Sequence, residues 1–180
     1  MSGRCFVVVG PSGAGKDTLI AAARAALPGL HVVRRAITRP VGAGGEDHEA
    51  MGAEEFARRA AAGGFLLTWN AHGLDYGIPA SLREVLASGR DALFNGSREH
   101  LAEAAAALPG LRAIHVTAPP ALRAERLAMR GREAEPRRAA RLARAVPPFP
   151  PGIEVIEVSN AGNLASATAA FLAALQPERG

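Results

Sequence analysis

Arg4-Cys-Phe-Val-Val-Val9, Gly10-Pro-Ser-Gly-Ala-Gly15 and Lys16-Asp-Thr-Leu-Ile20 follow one another without a break, and this stretch decides the fold. The first piece is short, apolar and rich in β-branched residues, so it reads as a buried strand ending at Gly10. The third piece opens a helical spacing that runs over Lys16–Leu27 and stops at Pro28-Gly29. Between them lies G-x4-G-K. Glycines let the backbone turn so that its N–H groups converge on phosphate oxygens. The helix N-terminus adds a favourable dipole, and a lysine reaches the outer phosphates. Lys16 is the only lysine in 180 residues, which makes a chance match of strand, loop and helix improbable. Gly10, Pro11, Ser12, Gly13, Ala14, Gly15, Lys16, Asp17 and Thr18 are therefore the candidate polyphosphate-binding residues.

One position departs from the usual pattern. The residue after the lysine is commonly Ser or Thr, whose hydroxyl holds Mg²⁺; here it is Asp17, with Thr18 next. A carboxylate is a hard oxygen ligand, so Asp17 is the candidate metal residue. The competing reading is that Asp17 only favours the first helical turn, where negative charge is stabilised. No acidic residue ends the Asp91–Phe94 run, where a second metal-holding carboxylate is expected; Asn95 stands there.

Outward from the loop, strand and helix patterns alternate. His31–Thr38 reads as a strand closed by Pro40, and 42–52 as a glycine-rich acidic loop. Ala53–Ala62 is a short helix and Phe65–Trp69 a strand, and Gly73 and Gly77 bracket a turn or hairpin. Pro79–Ala87 is a helix with Pro near its first turn. Asp91–Phe94, Leu111–Thr117 and Ile153–Val158 are strands. Arg98–Leu108, Pro119–Met129 and Leu164–Leu175 are helices. Gly131 breaks the helical pattern, Arg137–Ala145 resumes it, and Pro147–Pro151 is a rigid linker. The alternation predicts an α/β domain with a central parallel sheet covered on both faces.

Composition narrows the class. Hydrophobic residues are 48% of the chain, too many for a disordered one. Cys5 is the sole cysteine, which excludes a disulfide scaffold. No apolar run approaches the roughly 18 residues of a membrane span, and no charged stretch leads into a signal-type apolar core. These features predict a cytoplasmic protein without a membrane partner. Aromatics are only 4%, and no standard DNA-binding motif occurs, so nucleic acid is not the expected partner.

The net charge of +4 is unevenly spread. Residues 122–145 carry eight arginines against three glutamates. Arg126, Arg130, Arg132 and Arg141 sit on a helix, a glycine break and a second helix, an arrangement suited to a lid closing over a polyphosphate. A solvated helix face is the plainer alternative. It fits poorly, because Ala128 and Met129, not arginines, follow Glu125 at the pairing distances.

Taken together, Gly10–Lys16, Ile37-Thr-Arg39-Pro, Glu54-Glu-Phe56, Asp75-Tyr-Gly77 and Arg130-Gly131 resemble the guanylate-kinase-like group of P-loop kinases. Gly15-Lys-Asp17, Gly45-Glu-Asp-His48, His72-Gly-Leu-Asp-Tyr-Gly77, Asn95-Gly-Ser-Arg98 and Arg130-Gly-Arg-Glu133 are closer still to the ribose 1,5-bisphosphate phosphokinase family of phosphonate catabolism. The resemblance covers nearly the whole chain. It implies a P-loop three-layer fold in one domain, with an acceptor-binding part at 36–78 and a lid at 123–145. The implied reaction moves the γ-phosphoryl group of ATP, with Mg²⁺, onto ribose 1,5-bisphosphate, giving 5-phosphoribosyl 1-diphosphate. Guanylate kinase itself and a non-catalytic binding module of the same group are the alternatives, and a homodimer is left open.

Guanylate kinases read guanine with acidic side chains. Aligned on Tyr76-Gly77, that glutamate position falls on Leu67, the acidic stretch after the third strand on 95–97, and the second phosphate-binding arginine on Gly42. A leucine leaves guanine's donors unsatisfied, which costs specificity steeply. A sugar phosphate is therefore the expected partner. The resemblance assigns Arg39, His48 and Tyr76 to the acceptor, and Ser97 and Arg98 join them because they follow a strand's carboxyl end, where α/β sheets bind ligands; Arg39, His48, Tyr76 and Arg98 also have ordinary structural readings. Lys16, Arg130 and Arg141 are the expected catalytic cations. A phosphate-monoester acceptor is largely dianionic at neutral pH and needs no base. Catalysis is then charge neutralisation and positioning. His72, Trp69 and Cys5 are expected to be structural.

Overall fold

A computed structural model describes residues 2–40, 46–129 and 147–176. At its centre lies β1 (Cys5–Val9), all five residues buried. Its side chains alternate between two cores, as a strand's period of two requires. Cys5, Val7 and Val9 enter one core, and Phe6 and Val8 the other. Each large side chain fully buried there contributes roughly 1.5–3 kcal/mol. Burial pushes the Cys5 thiol up to about 12, with Asp91 adding to the effect, so it is an inert core residue.

The main sheet has five parallel strands in the order β2-β7-β1-β8-β9: β2 (His31–Val32), β7 (Ala92–Asn95), β1, β8 (Arg112–Thr117) and β9 (Glu154–Ser159). Helices α1 (Lys16–Ala26) and α6 (Leu164–Leu175) cover one face through Leu19, Ala23, Ala167 and Phe171. Helices α3 (Leu82–Ala87) and α4 (Leu101–Ala107) cover the other through Leu82, Leu101 and Ala104. Helix α5 (Pro120–Met129) follows β8. The expected three-layer fold is therefore present. Arg4 ties the sheet to the end of α6: its Nε donates to Asp91 Oδ2 at 3.1 Å and its guanidinium reaches the Leu175 and Gln176 carbonyls. A cation there satisfies the helix's last acceptors.

A second, four-stranded sheet lies within residues 36–79, in the order β4-β3-β6-β5. It comprises β3 (Ala36–Ile37), β4 (Glu49–Ala50), β5 (Phe65–Ala71) and β6 (Leu74–Pro79), and α2 (Ala53–Ala61) packs on it. The single strand expected over His31–Thr38 is instead two short strands in different sheets. The connector between them carries Arg34 and Arg35. Arg35 is buried, with its guanidinium 5.0 Å from the Tyr76 ring and 5.7 Å from Trp69, and its Nε donates to Glu46 at 2.7 Å. Trp69 and Tyr76 stack at 5.4 Å. These side chains turn the backbone out of the first sheet and into the second.

Other boundaries moved as well. Part of the expected loop over 42–52 is β4, which pairs parallel with β3. Pro79 ends β6 rather than opening α3. The helix expected over Arg98–Leu108 begins as a 3-10 turn, Arg98–His100. The expected helix over Arg137–Ala145 and the break at Gly131 lie outside the described residues. Among those described, no helix is long and apolar enough to cross a membrane.

The buried pair makes a stability prediction. Arg35→Met leaves the Glu46 carboxylate without its partner and should lower the unfolding free energy by about 3 kcal/mol in urea titrations. Adding Glu46→Leu should recover more than half of that loss, because no unpaired charge then remains.

Candidate active site

The chain leaves β1 into the loop at the carboxyl end of the parallel sheet, where open α/β sheets bind ligands. Gly15 is the N-cap of α1, with φ of 93°, a left-handed value that disfavours side chains. A Cβ there would lie 2.3 Å from Asn160 Nδ2, and one on Gly10 would lie 2.2 Å from the Val116 carbonyl oxygen. The loop glycines are thus needed for close approach as well as for the turn. No side chain caps α1. In α6, by contrast, the Asn163 side chain accepts from Ala165 N at 2.6 Å. The open N-terminus of α1 can turn its N–H groups toward an anion.

Lys16 Nζ donates to the Gly10 and Pro11 carbonyls at 2.7 and 3.1 Å, so the ammonium is folded back along the loop. Asp17 is half-buried, and its Oδ1 accepts from Asn95 Nδ2 at 3.1 Å. Thr18 is exposed. The carboxylate is thereby held against the end of β7, beside a cleft of about 130 Å³ that Arg24, Glu46, Asp47 and Asn95 also line. No group of three or more His, Cys, Asp or Glu side chains among the described residues could hold a metal. One carboxylate suits Mg²⁺, which keeps several waters and takes phosphate oxygens as further ligands.

Two residues behind the loop fix its shape. Asn160 is buried and donates from Nδ2 to the Ala14 carbonyl at 2.8 Å. Arg126 reaches the Gly13 and Ala14 carbonyls at 3.4 Å and the Asn160 carbonyl at 3.2 Å. Asn160 escaped the sequence reading. Its available signal was position, at the carboxyl end of the last strand of a parallel sheet. Arg126 was read as part of a lid, yet its side chain contacts the loop's own main chain. Arg130 and Arg141 lie outside the described residues.

The acceptor candidates fall into two groups. Arg39 donates to the Tyr76 hydroxyl at 3.2 Å, and Thr38 is pinned beside them through Asp75. His48 is buried, its ring nitrogens 3.0 Å from the Glu46 carbonyl and 3.4 Å from the Arg39 carbonyl. It ties the Arg39 loop to the 46–48 loop. The 46–48 loop is further held by Asp47, which accepts from Arg24 and Arg34 at 2.8 and 2.9 Å. Those hydrogen bonds, Arg24 first, hold the Asp47 carboxyl below its usual range despite some burial. Ser97 lines a narrow cleft with Leu67, Trp69 and His100. Arg98 lies at the end of the same strand, β7, stacked on Phe149. His72 is exposed with φ of 56°, in the tight turn of the β5–β6 hairpin.

No family profile matches the chain. Among solved structures, it superposes on a guanylate kinase from Anaplasma phagocytophilum with a TM-score of 0.69 and 16% identity, covering 97% of this chain and 85% of that one. A gluconokinase from Sinorhizobium meliloti gives a TM-score of 0.55 at 20% identity, covering 96% and 91%. Together with the loop geometry, these likenesses define a P-loop fold of the guanylate-kinase-like class. Sequence relatives are more specific. The chain is 44% identical over 172 residues to a ribose 1,5-bisphosphate phosphokinase from Brucella melitensis, covering 93% of this chain and 90% of that one. Its counterpart from Agrobacterium fabrum is 41% identical over 178 residues, covering 97% of each. The chain belongs to the ribose 1,5-bisphosphate phosphokinase family. It is also 52% identical over 176 residues to a bifunctional ribose 1,5-bisphosphokinase-thymidine phosphorylase from Cupriavidus necator. It spans 97% of itself but under a third of the length of that protein and of two similar bifunctional relatives.

The histidines give this region a pH signature. Burial, reinforced by the Arg98 and Lys16 cations and opposed by Glu157, holds His115 below its usual range. Burial and Arg90 do the same to His31. As pH falls through about 6.5, the unfolded chain therefore takes up protons before the native one does. Stability is full above that value and is lost as pH descends toward the lowered native values. The thermal midpoint should fall between about pH 7.5 and about pH 5.5. A His31→Asn/His115→Asn variant should show a flatter profile over the same range.

Proposed function

We propose that this chain is an ATP-dependent phosphotransferase that converts ribose 1,5-bisphosphate to 5-phospho-α-D-ribose 1-diphosphate. The observation that carries the reading is family membership at 41–44% identity over at least nine-tenths of both chains, in a chain that keeps Lys16 and a well-anchored phosphate loop. An oxygen of the 1-phosphate attacks the γ-phosphorus, the bond to the β,γ-bridging oxygen breaks, and ADP leaves with that electron pair. The acceptor is largely dianionic at neutral pH, so no proton need be removed first.

The difficulty is repulsion between two polyanions, and the protein's task is to neutralise and align them. Backbone amides of the 10–15 loop, to which Pro11 contributes none, and Lys16 bind the donor's phosphates. Asp17 is the residue that would hold Mg²⁺, which when bound shields phosphate charge. Arg39, oriented by Tyr76 and by the His48-braced loop, takes one phosphate of the acceptor, with Arg98 and Ser97 at the end of β7 as further contacts. Residues 36–78 form the acceptor-binding part. In this reading residues 123–145 serve as the lid, Arg130 and Arg141 supplying charge to the transferred group while Arg126 of the same segment stays on the phosphate loop. The product is the activated ribose of phosphonate catabolism, made in the cytoplasm, where ATP is available.

Guanylate kinase activity is the second reading, favoured by the likeness of fold. Against it stands the cleft beside Ser97, where Leu67 occupies the position expected of a guanine-reading carboxylate. Purified protein with Mg-ATP should turn over ribose 1,5-bisphosphate at least about a hundredfold better than GMP in kcat/KM. Preferential GDP formation would replace the proposal with that reading, and no ADP release with any phosphorylated acceptor would favour a binding module. Lys16→Ala should reduce turnover by roughly 10³-fold or more while leaving the thermal midpoint unchanged. A folded variant with near-normal rate would remove the loop from the mechanism.

A further inference from the structure

At the carboxyl end of the sheet a second cation is held in an unusual way. Arg98 opens the 3-10 turn after β7. Its Nε is buried without a hydrogen-bond partner, and its guanidinium forms no ion pair among the described residues. Its contact is an aromatic ring: the guanidinium carbon lies 3.9 Å from the centroid of Phe149. The Phe149 ring also meets His115 at 5.2 Å, inclined by 71°. His115 is paired with Val9, the last residue of β1 before the phosphate loop. Both Arg98 and Lys16 act on its titration, so two positive charges converge near this strand end.

The sequence around the ring is Pro147-Pro-Phe149-Pro-Pro151. Each proline fixes its own φ and supplies no amide donor, so the segment presents Phe149 with little backbone freedom. A carboxylate in the same place would orient Arg98 but would also consume its donors and cancel its charge. An aromatic face orients a planar guanidinium through its π-surface and leaves the in-plane N–H edge free for an anion. Stacking beforehand also reduces the rotamer freedom that a long side chain loses on gripping phosphate.

We propose that Phe149 is a positioning residue for the acceptor phosphate, its ring the platform that holds the Arg98 guanidinium ready to take a phosphate group. The inference rests on the reading of the chain as a kinase of a phosphorylated acceptor, and it adds a residue that no motif in the sequence announced.

The test is steady-state kinetics with ribose 1,5-bisphosphate varied at saturating Mg-ATP, and then the reverse. Phe149→Ala and Phe149→Leu should raise the acceptor KM about tenfold and leave the Mg-ATP KM unchanged. Phe149→Tyr should restore the wild-type value. In an Arg98→Ala background, Phe149→Leu should add less than about twofold, since the platform then has nothing to hold. A Leu variant equal to wild type, or losses that multiply independently, would overturn the proposal. Thermal midpoints identify any variant that fails to fold, and the Tyr and Leu variants then carry the comparison.

A second measurement needs no turnover. The Arg98 Nε–H resonance should respond to added inorganic phosphate in the wild type and in Phe149→Tyr, and much less in Phe149→Leu. If ribose 1,5-bisphosphate proves not to be a substrate but this pattern holds, the platform stands and only the substrate reading falls. An Arg98 resonance indifferent to phosphate, or equally responsive with leucine beneath it, refutes the platform itself.

Discussion

Six residues, Gly10–Gly15, must reverse the chain between a fully buried strand and a helix, and much of the molecule is arranged to hold that turn. The turn has no room for side chains where the backbone passes Val116 and Asn160. It is held from behind by hydrogen bonds from Asn160 and Arg126 to carbonyls of the loop itself. Lys16 engages the Gly10 and Pro11 carbonyls, and the Ala14 amide closes a turn onto Pro11. The fold itself orders this turn, so a ligand bound there need not supply that cost.

The second sheet poses a different physical problem. It carries three of the acceptor candidates, Tyr76 on β6 and Arg39 and His48 beside the two-residue strands β3 and β4. What secures it is a buried cation: Arg35 lies over the stacked Trp69 and Tyr76 rings and is paired with Glu46. The same Tyr76 meets Arg39 through its hydroxyl, and the Glu46 carbonyl meets His48. Structure and recognition share side chains here. A perturbation of the Arg35 cluster therefore reaches the acceptor loop directly.

Electrostatics links the two regions. Arg98 at the end of β7, Lys16 in the loop and Arg39 just after β3 are the positive groups assigned to the two anions of the proposed reaction. Among the contacts described, Arg98 rests on a phenyl ring, Lys16 donates to main-chain carbonyls and Arg39 to a phenol. By contrast, the arginines that fasten the framework, Arg4, Arg24, Arg34 and Arg35, are all bonded to carboxylates.

The sequence by itself determined the strand–loop–helix unit, the parallel sheet and the character of Cys5. These follow from local periodicity, from glycine spacing, and from the strand–helix alternation and rarity of lysine along the chain. It placed Arg39 and Tyr76 in one site only through family resemblance, and it merged β2 with β3, because β-branched residues on either side of two arginines look like one strand. What only the tertiary structure decided depends on residues far apart in the chain. Asn160 meets Ala14 across 146 positions, and Arg126 meets Gly13 across 113. Phe149 finds Arg98 from the far side of the arginine-rich segment. No local pattern encodes such pairings, because hydrogen bonds and stacking are fixed by distance in space, and that distance exists only once the sheet has brought its strand ends together.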